Sequence, residues 1–214
     1  MRPRNAIRRF ARGLVLIAAV AAHPIVTAQG AAALDDRAAA GFIERLGTEA
    51  IGALQQQSQS QVQREAAFAG ILRKGFALDL IGRFALGRHW RQATPAQQSD
   101  YLTVFRHFVI KTYARRLRDF SARGFAVTGT AAAGAEGDII VLTRIERTGA
   151  AALLAGWRVR EIEGQPRIVD VVVEGVSMTI TQRQEFASVT RRGGIDELLR
   201  SLRLQTARLS ASAG

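Results

Sequence analysis

The 214-residue chain has no cysteine, which excludes a disulfide-stapled scaffold and any thiolate-ligated zinc or iron–sulfur site. Histidine is scarce, with three in all. His89 and His107 lack the close histidine or carboxylate spacing of a metal site. No apolar run approaches the roughly 20 residues that span a bilayer; the longest, Leu14 to Ala22, falls well short. The 20 glycines include no loop that follows a strand, opens a helix and could cradle a phosphate, so nucleotide binding has no motif here. What is present is apolar residues at 48% against 22% charged, too many for a disordered chain. At this length one domain is expected, and it can hide roughly 70% of its unfolded surface.

The formal charge is +12, and 28 of the 30 basic residues are arginine. Five of those arginines, Arg2, Arg4, Arg8, Arg9 and Arg12, stand before the Leu14–Ala22 run, and Val26-Thr27-Ala28 follows it as a small-residue cleavage signature. A secretory signal peptide over residues 1–28 is expected, with a single domain over 29–210 and a short tail over 211–214. Cleavage after Ala28 would leave a net charge of about +7, since no acidic residue is lost. Such a balance attracts anionic membrane surfaces, acidic proteins or phosphate-bearing ligands. Nucleic acid is not an expected partner of an exported protein.

Helical periodicity begins after Leu34-Asp35-Asp36 and carries Phe42, Ile43, Leu46, Ala50 and Leu54 over residues 35–56. Ser60 with Gln63 reads as a capping box for a second helix bearing Phe68, Ile71 and Leu72, ended by Gly75. A third, short helix carries Leu80, Ile81, Phe84 and Leu86. Thr94-Pro95-Ala96-Gln97 combines an N-cap, a first-turn proline and a capping glutamine, and opens a long helix expected to reach Phe120.

Beyond Gly124 the period changes. Phe125–Thr130, Asp138–Glu146, Ala152–Ile162 and Pro166–Val173 are rich in β-branched or aromatic residues and separated by glycine-bearing turns. Short links imply an antiparallel sheet of about four strands. Helix resumes after Thr181, stops at Gly193-Gly194 and restarts at Ile195. The expected class is α+β, with helices covering one face of the sheet.

Chemistry-bearing candidates are few. Gly175-Val176-Ser177-Met178-Thr179 resembles a nucleophile elbow superficially, but its final glycine is missing. Asp170 and Glu174 would share one face of a regular strand, where paired carboxylates can do acid–base work or simply meet arginines. What remains is apolar surface, and periodicity does not distinguish a solid core from the walls of a cavity.

Two blocks carry a resemblance. Leu86-Gly87-Arg88-His89-Trp90-Arg91-Gln92-Ala93-Thr94-Pro95-Ala96-Gln97, followed by Tyr101, Phe105 and Thr112-Tyr113-Ala114, is similar to the MlaC (toluene-tolerance) family. Asp170-Val171-Val172-Val173-Glu174-Gly175-Val176-Ser177-Met178, with Thr181-Gln182-Arg183 and Glu185-Phe186, resembles the C-terminal signature of the same family. The related HpnM group, associated with hopanoid biosynthesis, shares much of this pattern. The resemblance implies an NTF2-like fold that encloses the acyl chains of a phospholipid in the periplasm. It further implies docking to an outer-membrane lipoprotein complex and to an inner-membrane ABC transporter with an MCE-domain subunit. No cofactor, metal or covalent chemistry is implied, and a shuttle needs no oligomer, so a monomer is expected.

Given that expectation, the facing of residues assigns Leu80, Ile81, Phe84, Phe105, Phe108, Val109 and Tyr113 to a helical wall. Val141, Trp157, Val159, Val169, Val171 and Val173 are assigned to a sheet wall. Arg88, Arg91 and Arg144 are candidates for a phosphate at the mouth. Two other readings stay open: an NTF2-like enzyme using Asp170 or Glu174, and an adaptor that binds acidic partners through its arginines.

Overall fold

Both expected capping boxes form. The Ser60 hydroxyl accepts from the Gln63 backbone N–H at 3.3 Å while Gln63 accepts from the Ser60 N–H at 2.9 Å, and Thr94 and Gln97 exchange the same pair of bonds at 3.2 and 3.0 Å. Each box satisfies N–H groups that the first helical turn leaves without partners. The protein is described by a computed structural model that covers residues 34–55, 60–116, 122–134 and 136–211. The expected signal peptide and the helical extension to Phe120 lie outside the described residues.

Among the described residues five helices accompany one sheet: α1 (Asp36–Gln55), α2 (Gln61–Gly75), α3 (Leu78–Leu86), α4 (Pro95–Arg116) and α5 (Met178–Ala211). A 3-10 turn, Gly87–Gln92, joins α3 to α4. The strands are β1 (Ala122–Ala133), β2 (Asp138–Arg147), β3 (Ala150–Ile162), β4 (Gln165–Val173) and β5 (Val176–Ser177), antiparallel in sequence order. The fold is therefore mixed α+β, with five strands against the four expected. β5 is only two residues long and has no periodicity to read. It leads directly into α5, which starts three residues before the expected Thr181.

The break at Gly193-Gly194 is present within α5. Gly194 has φ 69° and ψ −167°, a conformation open in practice to glycine alone. Beyond it, Leu198, Leu199 and Leu202 are buried against α4, helped by a bond between Arg203 and Asp100.

Register irregularities bend the sheet. In β4 Ile168 pairs with Val159 and Asp170 with Arg158, so Val169 is an extra residue at a bulge. The inner face carries Ile139, Val141, Val159 and Ile168, all packed with Ile43 and Leu46 of α1 and Ile71 of α2. At the turn between β1 and β2, Asp138 is 1% exposed and accepts bonds from Arg158 at 2.6 Å and from Arg160 at 2.7 and 2.9 Å.

Candidate functional site

Among the described residues, four clusters of buried apolar residues occupy the interior, where a domain of this size ordinarily has one main core. One joins α3, α4 and α5; a second joins α1 and α2 to the sheet; a third joins α2 to α4; the fourth lies under β1, β2 and β3. Half-buried side chains such as Val109, Phe76 and Trp157 bridge them, and they surround a cavity of about 290 Å³. Phe105, Ile43, Leu72 and Ile145, one from each cluster, all line it.

Small residues make the room. Gly47 and Ala50 on α1, with Ala122 and Ala155 on the sheet, stand where larger side chains would fill the space. Gly47 has a second role: a Cβ there would lie 2.6 Å from the Phe125 ring, so its absence lets the ring lie against the helix.

The wall is apolar apart from four side chains, Tyr113, Asp170, Thr179 and Gln182, and the indole N–H of Trp157. Trp157 donates to the Thr143 hydroxyl at 2.8 Å, and Thr143 in turn donates to the Ala155 carbonyl at 3.2 Å. The polar edge of the indole is thus consumed inside the sheet. Burial pushes the Tyr113 phenol up from its ordinary pKa; Arg116 opposes this, and Glu185 and Asp170 add to it. The phenol therefore stays protonated at neutral pH.

Asp170 is 8% exposed and fully engaged. Its Oδ1 accepts from the backbone N–H groups of Val171 at 2.8 Å and Thr179 at 3.1 Å, and its Oδ2 accepts from Ser177 at 2.6 Å. Ser177 also accepts from the Ile180 N–H at 3.1 Å. Together Asp170 and Ser177 cap the start of α5 and fasten it to β4. Glu174 does not share a strand face with Asp170: β4 ends at Val173, and Glu174 sits in a turn at φ 49°, its carboxylate accepting from the Leu154 N–H at 3.0 Å. This geometry gives both carboxylates local structural work.

Of the residues assigned from sequence, Ile81, Phe105, Val109 and Tyr113 line the cavity from the helices, and Trp157, Val171 and Val173 from the sheet. Phe108 is buried against Phe186 in the helix–helix cluster, and Val141 and Val159 are fully buried in the cluster beneath α1. Val169 is half-buried at the bulge, which takes it out of phase with Val171 and Val173. Leu80 and Phe84 face outward at 38% and 42% exposure. Arg88 and Arg91 are exposed on the 3-10 turn, and Arg144 is exposed on β2, paired with Glu146 at 2.7 Å; none of the three lines the cavity. The α1 contribution, Ile43, Leu46, Gly47, Ala50 and Ile51, was not assigned to a wall from sequence. The helical stripe of α1 is legible in the sequence, and the small size of Ala50 within it and of Gly47 beside it is the available signal. Among the described residues no group of histidines and carboxylates is placed to hold a metal ion.

Fold and site together define an α+β protein built around an apolar cavity. Residues 44–204 match the family model described as MlaC protein, and the chain belongs to that family. It is 24% identical over 125 residues to the intermembrane phospholipid transport system binding protein MlaC of Haemophilus influenzae. That alignment covers 57% of this chain and 58% of the relative, so the chain spans little more than half of the curated protein it matches. Its fold is similar to a phospholipid-binding protein from Ralstonia solanacearum solved in complex with a phospholipid, with a TM-score of 0.68 and 22% identity. That likeness covers 80% of this chain and 98% of the other.

Proposed function

We propose that this protein is a periplasmic carrier that holds the acyl chains of a phospholipid in the cavity. In this reading it moves the lipid between an outer-membrane lipoprotein complex and an inner-membrane ABC transporter with an MCE-domain subunit. The observation that carries the reading is the apolar cavity at the junction of four clusters, with its tryptophan N–H already satisfied. Membership of the MlaC family and the named relatives support it. A two-tailed lipid has roughly 30 methylenes, and exposing them at about 0.8 kcal/mol each would cost on the order of 24 kcal/mol. Crossing an aqueous compartment therefore needs a protein wall in place of the bilayer. Release needs no chemistry on the carrier, only a docked state with lower affinity for the lipid.

The test is to express the chain with its N-terminal segment, purify it from the periplasm without detergent, and weigh it by native and denaturing mass spectrometry. Stoichiometric phospholipid is the expected result. A hopanoid in its place would move the ligand to that class. A folded protein that is empty, and takes up no lipid from vesicles, would overturn the carrier reading.

A further inference from the structure

Phe84 is 42% exposed, and the guanidinium of Arg183 lies 5.0 Å above its ring, joining the outer faces of α3 and α5. One turn back on α3 stands Leu80 at 38% exposure, and one turn back on α5 stands Ile180 at 49%. Arg83, beside Phe84, stacks over Trp90 at 5.1 Å, and the 3-10 turn that follows adds the exposed Arg88 and Arg91. Among the described residues none of these four arginines has a carboxylate within ion-pairing distance. The acid on α3, Asp79, is taken by Arg106 of α4. Three half-exposed apolar side chains are therefore set among four cations that no carboxylate among the described residues pairs.

We infer that this α3–α5 face docks on an anionic phospholipid bilayer, with Leu80, Phe84 and Ile180 entering the headgroup boundary and Arg83, Arg88, Arg91 and Arg183 meeting phosphates. Apolar side chains ringed by arginine suit an interface that is oily within and anionic at its rim. Guanidinium groups stacked on aromatic rings keep their N–H groups free for phosphate while shedding little hydration. The position on the molecule also favours a bilayer. The opposite sides of the same two helices line the cavity through Leu78 and Ile81 on α3 and Met178 and Gln182 on α5. Docking would thus lay two cavity walls against a membrane. The inference accounts for the outward placement of Leu80 and Phe84, which do no work in the cavity.

Flotation of the purified protein with vesicles of phosphatidylglycerol and phosphatidylcholine, against phosphatidylcholine alone, tests this directly. Binding is expected to the anionic vesicles only, and to fade at high salt as the screening length falls below about 10 Å. The pairs Arg83→Glu with Arg183→Glu, and Phe84→Ser with Ile180→Ser, should each weaken it by about tenfold or more. Leu204→Ser, which alters a 53% exposed leucine on the far part of α5, should leave it unchanged. Circular dichroism confirms that each variant is folded, and because all four positions lie outside the core, at least one pair will report. No vesicle binding would overturn the inference and leave the face to an acidic protein. So would equal binding to both vesicle types, or binding that both pairs leave intact. Docking is read whether or not the cavity holds a lipid, so its failure and that of the carrier reading are separable.

Discussion

Trp157 of β3 donates its indole N–H across the sheet to the hydroxyl of Thr143 on β2, at 2.8 Å. Ring and hydroxyl act as a unit: the ring supplies cavity wall, and the hydroxyl removes the one polar group the ring would bring with it. Thr143→Val keeps the shape and deletes the acceptor, leaving the N–H buried without a partner. A loss of about 1–3 kcal/mol is expected in urea unfolding. Thr143→Ser should recover most of it. Trp157 is one of two tryptophans, so its fluorescence should shift in the valine variant. A valine variant as stable as the parent would show that the bond contributes nothing.

Ala50 of α1 lines the cavity with no more than a methyl group. Ala50→Phe places a ring in the cavity, and because the added volume enters empty space, stability should change by no more than about 1 kcal/mol. Co-purified lipid per protein should fall at least severalfold. Full lipid occupancy in this folded variant would mean that the acyl chains lie elsewhere.

The boundaries of the elements were legible in the sequence wherever a backbone rule operates alone. Ser60 with Gln63, Thr94 with Gln97, and Gly193-Gly194 each announce a helix end through local bonds or a glycine-only conformation. The site was legible only in part, because a stripe of apolar residues looks the same whether it closes a core or borders a void. Val141 and Val171 are alike in sequence, yet one is fully buried beneath α1 and the other lines the cavity. What separates them is long-range: the bulge at Val169, which resets the phase of β4, and the small residues of α1 placed opposite. Neither leaves a periodic trace. Asp170 shows the same limit, since a carboxylate on a strand reads as potential chemistry until its three donors are seen.

Asp170 is expected to act as a structural fastener. Asp170→Ala removes the acceptor for two backbone N–H groups and the Ser177 hydroxyl, at a cost of about 2–3 kcal/mol. Hydrogen exchange should accelerate in the first turn of α5, around Thr179 and Ile180, while the part beyond Gly194, which packs on α4, keeps its protection. Uniform acceleration along α5 would argue against a local fastening.

Asp138 should set the acid limit of the fold. Burial alone would raise its pKa, but the hydrogen bonds and charges of Arg160 and Arg158 outweigh burial and hold it below the ordinary carboxylate value. The folded protein therefore releases this proton at lower pH than the unfolded chain does. The stabilisation is complete above the unfolded-state value, about 4, and is lost as pH falls through the folded one. Asp138→Asn should cost about 2 kcal/mol at pH 7, less than a wholly buried pair, because the side chains of Arg158 and Arg160 remain 37% and 27% exposed. The difference between parent and variant should narrow as pH falls below about 4, because the unfolded parent chain takes up a proton that the folded protein still excludes. Thermal unfolding of both proteins across this range measures it, and a constant offset from pH 7 to pH 3 would show that the carboxylate charge is not what holds the β1–β2 turn to β3.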